Sequence, residues 1–176
     1  MKSDTTETPE AGSGFFHRFR RALPSWADVW RGGIVWAIAM FAAAMAGLWF
    51  YFRGISGKEY ELATIYLLGG LFAWPFALYV TRFMALGCSP PVRFVLALVI
   101  IAGCTLAMTA FVFSQQFRLI FADTHMPITT RIGLYQFAET SASGVFQFLV
   151  AGVRLYFPVG ILALVIASLW LARRMR

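Results

Sequence analysis

The feature that most limits what this chain can become is a set of long apolar runs with no charge in their middles. Residues 33–52, 62–84, 92–113 and 153–172 each approach or exceed the roughly 20 residues a helix needs to cross a 30 Å hydrocarbon core. A soluble chain of 176 residues would bury one core under a polar shell. Only 13 per cent of these residues are charged, against about 25 per cent in a soluble domain, and 60 per cent are hydrophobic. There is too little charge to make the shell, so the apolar surface is expected to face lipid.

The connections at 53–61 and 85–91 are short, which makes the first three helices antiparallel to their neighbours. Pro90 and Pro91 stiffen the second connection, since neither continues a helix. Trp49, Tyr51, Tyr66, Tyr79, Tyr156 and Trp170 lie near the ends of the runs, where amphipathic rings favour the interface. The expected fold is therefore all-α: an up-down four-helix transmembrane bundle with an amphipathic N-terminal interfacial helix.

Orientation follows from the basic residues. Lys2, Arg18, Arg20, Arg21, Arg31, Arg82, Arg93, Arg173, Arg174 and Arg176 fall on one side of a four-span chain. Arg53, Lys58, Arg118 and Arg131 fall on the other, and Arg154 sits at a helix end. Positive residues stay inside, so both termini are expected in the cytoplasm of a cell whose inner (plasma) membrane holds the protein. An odd number of spans would carry the Arg-rich C-terminus across and spoil the balance. The formal charge of +7 thus serves topology and anionic headgroups; no motif points to nucleic acid.

Residues 1–14 are polar and read as a disordered cytoplasmic tail. Within 15–31, Phe15, Phe19, Leu23, Trp26 and Trp30 recur at helical spacing, with Arg18, Arg21 and Asp28 largely elsewhere. That pattern predicts a helix in the headgroup plane, with an irregular basic anchor as the alternative. Arg18, Arg21, Trp26 and Trp30 are its candidate headgroup contacts. Pro24 interrupts it, and Ser25-Trp26-Ala27-Asp28 fits a capping box that restarts a helix towards the membrane.

Residues 114–143 read as one long external loop. In it the third helix emerges to about Asp123, a turn follows at 123–127, and a short amphipathic piece covers 132–137. The cluster Thr140-Ser141-Ala142-Ser143-Gly144 offers Ser141 or Ser143 as the N-cap of the last helix. Arg154 is the one basic residue in the hydrophobic stretch that follows. Either the membrane begins near Leu155 and Arg154 snorkels to phosphates, or residues 144–153 are intramembrane, Pro158 kinks the helix, and Arg154 faces a ligand. A central charge costs roughly 2.5 kcal/mol or more, which favours the first. Gln147 and Tyr156 are available to solvate Arg154 in both.

Converging chemistry is scarce. His17 and His125 lie on opposite sides of the membrane, and no Cys/His spacing fits zinc or haem. Glu59, Glu61, Asp123 and Glu139 read as solvated loop charge rather than a catalytic cluster. The spans offer only hydroxyls and a thiol, among them Thr64, Thr105, Cys104, Thr109 and Ser168, where ion-coupled carriers place ionisable groups. No catalytic residue, cofactor or metal ligand is assigned. Small residues recur at helical spacing in the rows Ala39, Ala43, Gly47; Gly69, Ala73, Ala77; and Ala163, Ala167. They suit packing within the bundle ahead of an oligomer interface.

The expected function is that of a non-enzymatic accessory subunit, bound to a protein partner or to further copies of itself. The alternative is the small membrane subunit of a multi-component solute transporter. In size and four-span layout the chain is similar to the small permease subunits of tripartite carriers, without a shared motif.

Overall fold

The computed structural model describes residues 24–52, 59–120 and 129–175, and the regular structure among them is entirely helical. Helix α1 spans Trp26–Phe52. It starts where Ser25 Oγ accepts a hydrogen bond from the Asp28 backbone N–H at 3.2 Å, the N-cap half of the expected capping box. Residues 26–31 are thus the first turns of α1 itself. The remainder of the expected interfacial segment, 15–23 with Arg18 and Arg21, lies outside the described residues, as does the tail 1–14.

Helix α2 spans Glu59–Met84 and contains Pro75 without ending there. The chain reverses at Gly87, whose φ of +84° suits a residue without Cβ. Helix α3 spans Pro90–Ile120. Pro90 and Pro91, expected in the connecting turn, open this helix instead. The first turn needs no N–H from them, and their fixed φ is already helical.

The last third of the chain departs most from expectation. The third helix does continue past residue 113, through 114–120, as expected, but the short piece expected at 132–137 is a longer helix, α4, spanning Arg131–Gln147. Its N-cap is Thr130, which accepts from Gly133 N at 3.0 Å. Helix α4 runs straight through 140–144, so neither Ser141 nor Ser143 caps anything. Thr140 instead donates back to Gln136 O at 2.6 Å, which lets a hydroxyl sit inside a helix. Nor is 153–172 one continuous span. A π-helical turn, Phe148–Gly152, leads into a 3₁₀ turn, Val153–Tyr156, and only then does helix α5, Val159–Arg174, begin.

Proline chemistry explains the break. Pro158 has no N–H to give to Arg154 O, and its ring forces Phe157 into extended geometry at φ −88°, ψ 138°. Phe157 N takes over Arg154 O at 3.1 Å, closing the 3₁₀ turn. Residues on the two sides of the break diverge by 78°.

Helix α2 packs against both α1 and α3, and α5 packs against both α3 and α1. Small residues line the helix contacts beside a few large buried side chains, among them Met40, Tyr66, Trp74 and Phe148. Ala43, Ala44, Ala63, Ala73, Ala77 and Ala97 are fully enclosed, whereas Phe72, Phe76, Val95, Val99, Leu162 and Ile166 point outward and are more than half exposed. Small residues at the helix contacts and large apolar side chains on the outer surface are what lipid as solvent selects. Three helices, α1, α2 and α3, are long and apolar enough to cross a membrane, and the bent α4–α5 unit makes a fourth if counted as one span.

The small-residue rows set how closely these helices approach. A Cβ on Gly69 would lie 2.7 Å from Thr109 Cα on α3, and one on Gly47 would lie 2.6 Å from Leu155 O. Both glycines let backbone touch backbone, so the two rows that contain them serve packing inside the chain.

Candidate functional site

Two clusters stand out, one at each end of the helices. At the first, Asp28 in the opening turn of α1 receives Arg82 of α2 at 3.0 Å and Arg174 of α5 at 2.9 Å. One carboxylate thereby ties three helices. The Asp28 side chain keeps 17 % exposure and that of Arg82 21 %, so this pair is partly desolvated; Arg174 is half exposed and lies over the Trp170 ring at 5.0 Å. Trp74 Nε1 donates to Asp28 O at 3.4 Å. Beside them Arg93 of α3 donates to Cys88 O at 2.8 Å and to Met175 O at 2.6 Å, holding the end of α5 against the start of α3.

The second cluster surrounds the break in the last helix. Tyr66 is fully buried, and its hydroxyl donates to Gly152 O at 2.8 Å, on the last residue of the π turn. Tyr156 OH donates to Thr109 Oγ1 at 2.7 Å, and the two tyrosine rings meet edge to face at 5.1 Å. Trp36 Nε1 donates to Thr105 Oγ1 at 3.0 Å. Each bond satisfies a polar atom that lipid could not, which is how an irregular turn persists in an apolar setting. Arg154 projects from the 3₁₀ turn; it is exposed, with its guanidinium 5.7 Å from the Tyr51 ring centre.

Between α1, α3 and α5 lies a cavity of about 350 Å³, lined by Trp36, Met40, Thr105, Leu106, Ile161 and Leu164 among others, with Arg154 as its single charged wall residue. Its lining suits an apolar chain. Nothing in it resembles an acid–base pair or an activated nucleophile.

The residues singled out from the sequence are dispersed. Trp26 and Trp30 at the start of α1 are 77 % and 58 % exposed, on the far side of Asp28's inward contacts. Glu59 is buried in the first turn of α2, while Glu61 and Glu139 are exposed. Asp123 and His125 lie outside the described residues. Among the described residues no three His, Cys, Asp or Glu side chains come together as metal ligands. Tyr156, offered above as a solvating group for Arg154, gives its hydroxyl to Thr109 instead.

Sequence reasoning missed Asp28, Tyr66 and Thr109. Asp28 was readable as the only acid in the opening of the first helix, but its partners are more than fifty residues away. Tyr66, expected as an interfacial ring, is wholly enclosed. No family model matches the chain, and no curated protein or solved structure matches it either.

Arg154→Gln is expected to change thermal stability in detergent by no more than about 1 kcal/mol, because an exposed guanidinium loses little on neutralisation. A midpoint shift as large as that of a core deletion would show instead that this arginine holds the break together.

Proposed function

We propose that the chain is a four-pass inner-membrane protein with both ends in the cytoplasm, and that it acts without catalysis by holding a partner protein on the external side. The up-down bundle consists of α1, α2, α3 and α5, with α4 as an external lead-in to the last pass. Distances along the helices support this layout. At roughly 1.5 Å per residue, the Asp28 clasp is about 28 Å from Gly47 along α1 and about 24 Å from Tyr66 along α2. Arg93 is about 24 Å from Thr109 along α3. Gly47, Tyr66 and Thr109 are the positions that meet the turns at 152–156. Arg154 therefore stands nearly one hydrocarbon thickness, about 30 Å, from the clasp, which is where an arginine reaches headgroups.

On this placement α4 and the last turns of α3 lie beyond the lipid core, and the outward face of α4 carries the reading. Ile132, Tyr135, Ala142 and Phe146 recur along it at helical spacing, Val150 of the π turn follows them, and all are exposed. Glu139, Ser143 and Gln147 form an exposed polar row four residues apart beside them. Ala142 and Ser143 sit in a surface hollow walled by Phe146, Gln147 and Val150. Large apolar side chains outside the bilayer favour a protein cover, and small residues flanked by an amide are what close helix contacts use.

A photo-crosslinking residue at Ala142 is expected to trap one defined protein in native membranes, while one at Val95 traps only lipid. Ala142→Trp should abolish co-purification of that protein and leave the melting behaviour in detergent unchanged. A large permease as the partner would make the chain the small subunit of a solute transporter. Lipid adducts alone at both positions would overturn the partner reading, and reporter fusions placing the two chain ends on opposite sides would overturn the topology.

A further inference from the structure

Where the turn after α2, the start of α3 and the end of α5 meet, a second cavity of about 240 Å³ opens, lined by Arg82, Arg93, Arg174, Leu86, Leu171 and Met175 among others. Three guanidiniums from three helices line it, and two of them, Arg82 and Arg174, hold Asp28, so among the described residues the group carries two positive charges in excess of its acid. A guanidinium has five N–H donors. Arg82 and Arg174 each use one on Asp28, and Arg93 uses two on backbone carbonyls. Among the described residues no other side-chain acceptor meets these guanidiniums, which leaves donor capacity around the cavity for an added anion. Such planar forks match the paired oxygens of a carboxylate or a phosphate.

We propose that this cavity binds a phosphate oxyanion, and specifically the phosphodiester of an anionic phospholipid in the leaflet that borders the chain termini. The flanking surface separates a lipid from free phosphate. Met84, Leu86 and Val92 beside the cavity are exposed by 51 %, 37 % and 46 %, which gives acyl chains an apolar wall directly next to the charge. Basic pockets between helices at a membrane edge take anionic headgroups for this combination of charge and grease. The site is independent of any protein partner on the external side, so it survives if the partner reading fails.

The test uses the purified full chain in a neutral detergent. Phosphatidylglycerol is expected to raise the thermal midpoint and to remain bound in native mass spectra, whereas phosphatidylcholine and inorganic phosphate do neither. Leu86→Glu places a carboxylate against the guanidiniums without removing any existing bond, and should weaken phosphatidylglycerol binding about tenfold or more. Arg93→Gln should do the same, and Arg31→Gln, outside the cavity on the same end, should not. Should Arg93→Gln fail to fold, Leu86→Glu decides the matter alone. Equal protection by inorganic phosphate would overturn the lipid assignment, and undiminished phosphatidylglycerol selectivity in Leu86→Glu would overturn the site.

Discussion

Gly69→Val is expected to cost about 3 kcal/mol and to leave most of the protein aggregated on extraction, because the new side chain would strike backbone rather than a movable group. A Cβ at 69 already falls 2.7 Å from Thr109 Cα, so α2 and α3 must separate to accept it. Separation would also strain the neighbouring bonds from Tyr156 to Thr109 and from Tyr66 to Gly152, which hold the broken last helix against these two. Gly103→Val is the matched control. Nothing lies within 4 Å of a Cβ there, so the same chemical change should stay within about 1 kcal/mol. Equal melting of the two variants would show that close approach of α2 to α3 does not hold the fold.

The second large effect is expected at Asp28. Asp28→Asn removes the one charge among the described residues that Arg82 and Arg174 share. Breaking one side of a buried pair costs roughly 3–5 kcal/mol, but these side chains retain some solvent, so about 2 kcal/mol is the reasonable expectation. The loss should fall mainly on the Arg82 pair. In a double-mutant cycle on thermal stability, Asp28→Asn with Arg82→Gln should show coupling of about 1 kcal/mol or more, and Asp28→Asn with Arg174→Gln much less. Additivity in both cycles would mean that the clasp is an ornament of the surface.

How much of this could be read without coordinates varies along the chain. The segments containing α1, α2 and α3 were legible because lipid demands an unbroken run of apolar residues, a one-dimensional property of the sequence. The Ser25 cap was legible for the same kind of reason, since its partner lies three residues away. The last third was not. Thr140 to Gly144 looks like a cap, yet the helix runs through it, with the Thr140 hydroxyl turned back onto Gln136 O. Pro158 announces a bend, but whether the helix ends or merely kinks depends on whether the freed carbonyls find donors.

Local composition thus decided that the chain is helical, that three of its helices suit a bilayer, and where the basic residues gather, since each depends on residue type and spacing alone. Which carboxylate meets which arginine, how Tyr66 comes to support a turn eighty-six residues away, and why two cavities open beside arginines were decided only by packing. The physical reason is range. Hydrophobic length acts along one segment, whereas an ion pair, a buried hydroxyl or a cavity exists only after distant helices have been brought into contact.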